Sequence, residues 1–161
     1  VFSQPLDNWN VERAFDMSGM FYNAKAFNQP IGQWNVSKVT TMENMFDCAI
    51  LFNQPIGQWD VSKVRSMASM FFGANSFNQP ISHWDVSKVT SFVRMFQDAE
   101  AFNQPIDQWD VSQAFLLDCM LSNAILFNQP IGHLNVRDEL ALIGVFESQF
   151  DLLDDDMWNV N

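Results

Sequence analysis

Cysteine, basic charge and long apolar runs are what this chain has least of. Its two cysteines, Cys48 and Cys119, are too few for a disulfide framework. No stretch approaches the ~20 apolar residues that cross a bilayer, and no secretory signal is visible. Lysine and arginine number 8 against 19 aspartate and glutamate, a formal net charge of -11. The imbalance is uneven: residues 1–80 hold six acids and five bases, residues 81–161 thirteen acids and three bases. Such a surface repels phosphate backbones and anionic lipid. That argues against nucleic acid and against direct membrane insertion, and it suits a basic protein partner or a cation. Disorder is excluded by the opposite excess: 48% of the residues are apolar, with 16 Phe, 9 Met and 6 Trp.

Prolines are few, and every one sits in the same pentapeptide. Phe-Asn-Gln-Pro-Ile opens at Phe27, Phe52, Phe77, Phe102 and Phe127, a strict 25-residue step, and a weaker copy opens at Phe2. A period in this range marks stacked supersecondary units that bury apolar surface against their neighbours. Residues 1–146 read as six such repeats. The phase slips after Phe146 and Asp151 to Asp156 carry four acids, so residues 147–161 read as a degenerate repeat or an acidic C-terminal cap. The chain begins at Val1-Phe2, inside a repeat and without methionine, which reads as a fragment or a processed product. If stacked strands lie ~4.8 Å apart, Cys48 and Cys119 stand roughly 14 Å apart, too far for a bridge.

The unit from Phe52 to Ser76 shows the expected local structure. Asn53-Gln54-Pro55 reads as extended, because proline restricts the residue before it. Trp59 and Val61 are two apart and share one face of a short strand, with Asp60 on the other. Ser62 reads as a helix N-cap. Val64, Met67, Met70, Phe71 and Ala74 then form one apolar stripe at helical spacing. The expected fold class is therefore an α/β repeat, a right-handed solenoid of short parallel strands and short helices, six repeats of 25 residues.

The recurring string I-x-x-W-[ND]-V-S-x-V-x-x-M-x-x-M-F-x-x-A-x-x-F-N-Q-P resembles the 25- to 26-residue repeat of BspA-like leucine-rich-repeat surface proteins, including the treponemal type. Trp59 and Val61 match the strand positions of that repeat, Met70-Phe71 its Ala-Phe pair and Ala74 its small residue. The resemblance implies a leucine-rich-repeat-like solenoid used for adhesion or protein interaction. It also favours a cell-surface or secreted location, with an organelle assembly as the alternative.

Polar side chains recur as ladders. Asn35, Asp60, Asp85 and Asp110, flanked by Asn10 and Asn135, line the strand face opposite the core. One reading is a cation site, because hard cations want clustered oxygens. The other is structural, with each side chain accepting a local backbone hydrogen bond. Asn28 to Asn128 and Gln29 to Gln129 form a second ladder, which repeats too fully to encode one site. His83 and His133 share a register but lie two repeats apart, roughly 10 Å, too far for one ion. No nucleophile elbow and no phosphate-binding glycine loop occurs. The chain is thus expected to be no enzyme and to need no cofactor or metal.

The departures from the repeat carry the functional expectation. The register of Thr40, Arg65 and Thr90 becomes Phe15 and Phe115, and Leu116 replaces Thr41, Ser66 and Ser91. Ile125-Leu126 stand where other units have Asn75-Ser76 and Glu100-Ala101, and Phe72 where they have Asp47 and Gln97. Apolar side chains at solvent registers mark a contact surface. Phe15, Phe72, Phe115, Leu116, Ile125 and Leu126 are the candidate protein contacts. The leading expectation is a non-catalytic interaction or scaffold protein, a subunit of an assembly. The alternative is an adhesin that binds carbohydrate or matrix through the strand face, with Gln33, Gln58, His83 and Gln108 beside the Asx ladder.

Overall fold

The computed structural model describes Leu6 and residues 9–132, 134–136 and 144–146. The copy of the motif at Phe2, His133 and the segment 147–161 lie outside the described residues. Within them the expected class, an α/β right-handed leucine-rich-repeat-like solenoid of strands and helices, is overturned. The helical stripe is not a helix: among the described residues the sole helical ones are a short 3₁₀ stretch at 144–145. Among the described residues regular strand is confined to β1 (Asp110–Val111) and β2 (Asn135–Val136), paired in parallel with Asp110 opposite Asn135.

Consecutive turns take the place of helix. In the unit opened by Phe52, the N–H groups of Trp59, Val64, Met70, Ala74 and Phe77 each donate to the carbonyl three residues earlier, at 2.8 to 3.1 Å. Every residue at these turn corners is buried: Ile56, Trp59, Val61, Val64, Met67, Met70, Phe71, Ala74 and Phe77. Two left-handed residues per unit lock the turns. Positive φ recurs at Gly19, Asn44, Ser69, Arg94 and Cys119, and four residues later at Asn23, Cys48, Gly73, Asp98 and Asn123. Each is the third residue of a four-residue turn, where a type II turn requires positive φ. Left-handed residues four apart are incompatible with a right-handed helix. Ser62 accordingly caps no helix.

Between the turns, alternate N–H groups leave the unit and bind the next. Met67 donates to Ser91, Ser69 to Val93, Phe71 to Met95 and Gly73 to Gln97, at 2.8 to 3.0 Å. The same four bonds recur from unit to unit, and Leu121 donates to Val145 in that register. Arg65 donates the other way, to Thr40 of the preceding unit. Asp16, Thr41, Ser66, Ser91 and Leu116 form a row of single parallel bridges along this ladder. The described residues are thus a stack of 25-residue coils joined in parallel register.

Aromatic columns fill the interior. Phe46, Phe71 and Phe96 stack at 5.5 and 5.6 Å between centroids, and each also lies 3.8 to 3.9 Å from the Phe that opens the following unit, Phe52, Phe77 or Phe102. Near-parallel pairs of this kind contribute about 0.5–1.5 kcal/mol each beyond area burial. Each buried tryptophan also ties two units. The indole N–H of Trp34, Trp59, Trp84 and Trp109 donates to the carbonyl of Leu6, Ile31, Ile56 and Ile81, respectively.

Candidate functional site

The polar ladders are occupied by the backbone. Asn28 Oδ1 accepts the N–H of Asn53 at 2.9 Å and the Gln54 amide at 3.0 Å. The backbone step repeats at Asn78, Asn103 and Asn128. The Gln side chains at 79, 104 and 129 repeat the amide step. Proline removes one donor in the motif, and the neighbouring Asn and Gln side chains join the rest of it to the next unit.

The Asx ladder works within each unit. Oδ1 of Asn35, Asp60, Asp85 and Asp110 accepts the N–H of the serine two residues on, at 3.0 to 3.2 Å. This is an Asx turn, which supplies a bend where the chain passes from Trp-Asx-Val to the following turn. The serine's two hydrogen bonds, and the lysines at 63 and 88 more weakly, hold the Asp60 carboxyl below its ordinary range. Asp110 is lowered by Ser112 in the same way, and the Asn135 amide donates to it across units at 2.9 Å. Among the described residues no group of three or more His, Cys, Asp or Glu is placed to hold a metal ion.

Neither cysteine is bridged. Burial pushes the Cys48 thiol up to about 11, helped by its hydrogen bond to Asp47 and by that carboxylate's charge. A thiol held protonated is a poor nucleophile at neutral pH.

The candidate contact residues divide by position. Phe15, Phe115, Ile125 and Leu126 are 60 to 71% exposed, and Leu116 is 39% exposed. Phe72 is half-buried, its carbonyl accepting from Cys48 at 2.7 Å. Four of these residues belong to the fifth unit, where they flank the ladder. Leu116 bridges Ser91 at one margin, and Leu126 donates to Glu100 at the other. Phe15 stands in the first unit, on the far side of the intervening units. The backbone bonds at 115, 116 and 126 are kept, as Phe115 donates to Thr90, Leu116 accepts from Phe92 and Leu126 donates to Glu100.

Two openings were not read from the sequence. A cleft of about 420 Å³ lies at the first unit, lined by Leu6, Trp9, Met20, Phe21, Ala24 and Phe27 among others. A smaller cleft of about 210 Å³ is lined by Pro30, Gln33, Trp34, Gln54, Pro55 and Gln58, with Gly32. A Cβ on Gly32 would sit 2.4 Å from the Pro55 carbonyl oxygen, so close backbone approach keeps this position bare. The sequence signal was the glycine itself, at a register where Ser82 and Asp107 also stand.

The sequence matches the family described as Mycoplasma protein of unknown function, DUF285, over residues 1–92 and again over 51–158. The chain belongs to that family, a repeat family of BspA-like type. No curated protein and no solved structure matches the chain. Among the described residues no helix is long and apolar enough to cross a membrane.

Proposed function

We propose that the chain is a non-catalytic interaction or scaffold protein that docks a partner protein on its fifth unit. The observation that carries this reading is the exposure of Phe115, Leu116, Ile125 and Leu126 at registers that are polar or small in the third and fourth units. Covering a large aliphatic or aromatic side chain contributes about 1.5–3 kcal/mol. Two such pairs can anchor a modest interface, with the acidic second half of the chain favouring a basic partner. The use of the Asn, Gln and Asx side chains by the backbone supports a scaffold role, since it leaves those ladders little free hydrogen-bonding capacity.

The test is affinity capture with three variants of equal thermal stability. Phe115→Ser/Leu116→Ser and Ile125→Ser/Leu126→Ser should lose the captured protein, and Phe15→Ser should retain it. Undiminished capture by both double variants would remove the fifth unit from consideration.

A second reading has one observation of its own. The cleft between Gln33, Gln54 and Gln58 offers amides beside proline rings, a lining that suits a sugar hydroxyl array. The exposed amides of Gln33 and Gln58 make no hydrogen bond with any described residue. Binding on a glycan array, lost in Gln33→Ala/Gln58→Ala, would favour an adhesin at a cell surface, and a blank array would count against it.

A further inference from the structure

The cleft over Gly32 is one step of a longer column. Pro30, Pro55, Pro80 and Pro105, from successive units, are all exposed, and so are Gln33, Gln58, His83 and Gln108 three residues on. The parallel coils repeat these side chains at a step of about 4.8 Å. Gln33, Gln58 and His83 make no hydrogen bond with any described residue. Gln108 differs, because its amide donates to the Asp107 carboxylate at 2.7 Å. Gly32 and Gly57 precede the first two of these side chains. A Cβ on either would lie 2.4 or 2.5 Å from the carbonyl oxygen of the next unit's proline. Ser82 stands at that register in the fourth unit and Asp107 in the fifth. The column is therefore unoccupied by its own side chains from the second to the fourth unit, and its fifth rung is tied to a carboxylate.

The chemistry of the column narrows what can lie on it. No residue lining the 210 Å³ cleft is charged, in a chain whose formal net charge is -11. Asp60 and Asp85 follow two residues beyond the column and Lys63 and Lys88 a further three, so the charges beside it balance one for one. An amide both donates and accepts hydrogen bonds, as a sugar hydroxyl does. A proline ring offers an apolar surface to the C–H face of a sugar. The Trp34 indole N–H already donates to the Leu6 carbonyl, so that ring contributes an apolar wall. The step selects as well. An extended peptide repeats its same-face side chains about every 6.8 Å, out of phase with the units, whereas one sugar residue of an extended glycan spans close to one step.

We propose that a neutral linear glycan lies along this column, parallel to the stack, with one sugar residue to a unit, and that Asp107 ends the track by holding Gln108. This rests on the reading of the cleft as a sugar site and adds to it a polymeric ligand, its direction and its limit. Gln33, Gln58 and His83 each meet the hydroxyls of a successive sugar, whose C–H face lies on the proline beside it.

Titration of the full 161-residue chain with size series of neutral linear glucan, mannan and xylan oligomers tests this. Affinity should rise with added sugars and then level off. His83→Ala should bring the levelling one sugar earlier and weaken the longest oligomers by about tenfold, with the disaccharide unchanged. Asp107→Gly, which places at that register the residue found at 32 and 57, should bring the levelling one sugar later. Melting curves check that each variant is folded. An affinity set by a single sugar, whatever the length, overturns the track and leaves the cleft a sugar site. So does a preference for sulfated or uronate oligomers, or an Asp107→Gly variant with the length dependence of the wild type. No binding by any of the series overturns the track and the sugar reading together.

Discussion

Replacing Gly73 by alanine distinguishes turn from helix by the sign of the effect. Gly73 sits at φ +59° in the third place of the turn from Phe71 to Ala74, and its N–H donates to Gln97 of the next unit. In a helix interior, Gly→Ala stabilises by about 1 kcal/mol. In the left-handed region an L-residue costs about 1–2 kcal/mol, offset by roughly 0.4–1 kcal/mol from the less flexible unfolded chain. The added Cβ meets nothing closer than the Cys48 sulfur at 3.4 Å, so packing adds little. The net expectation is a loss of about 1 kcal/mol, equivalent to about 2–4 °C in Tm for a chain of this size. Ser69→Gly should move the other way, because Ser69 holds φ +53° at the companion position. Urea unfolding followed by tryptophan fluorescence reads both variants against the wild type. Stabilisation by Gly73→Ala together with destabilisation by Ser69→Gly would refute the turn description.

Two further outcomes follow from the ladders. Asn78→Ala strips the acceptor from the Asn103 N–H and the Gln104 amide and should cost about 1–3 kcal/mol. Asn78→Asp, which keeps an acceptor oxygen, should cost much less, and equal losses in the two variants would show that the amide bonds are not what matters. Asp60→Asn should flatten the acid limb of the stability curve. The folded carboxyl of Asp60 lies below its ordinary value of 3.8, so its contribution is full above that pH and fades as pH falls through the lower folded value. Asn35 makes the same turn with an amide oxygen, so the variant keeps the bend. Urea midpoints taken into acid should fall more steeply for the wild type, and parallel curves would sink the argument.

The repeat and its buried registers were legible because apolar side chains recur in phase. The local structure was misread at one step. Val64, Met67, Met70, Phe71 and Ala74 satisfy helical spacing, but successive four-residue turns also put their first and last residues on one side. Periodicity alone cannot separate the two. The deciding signal was at the residues between: Asn23, Gly73, Asp98 and Asn123 occupy one register, a composition suited to positive φ and not to helix. Cys48 in that same register concealed it. The amide ladder was readable as structural because it repeats so fully, whereas the Asx ladder left a cation reading open beside the structural one. The clefts were not readable, since the first needs the placement of Trp9, Met20 and Phe21 and the second needs the backbone approach at Gly32.

The amide ladder also makes chain length come in whole steps. Asn53 receives from Asn78 what Asn28 receives from Asn53, so joining Phe52 directly to Asn78 would recreate the same bonds across the new neighbour. Gain or loss of 25 residues leaves the bonds of the amide ladder unchanged, while gain or loss of one residue misaligns all that follow. Copy number is therefore the inexpensive variable in such a sequence. The side chains at the margins of the ladder, such as Phe115 and Leu126, are where one copy can become different from the next.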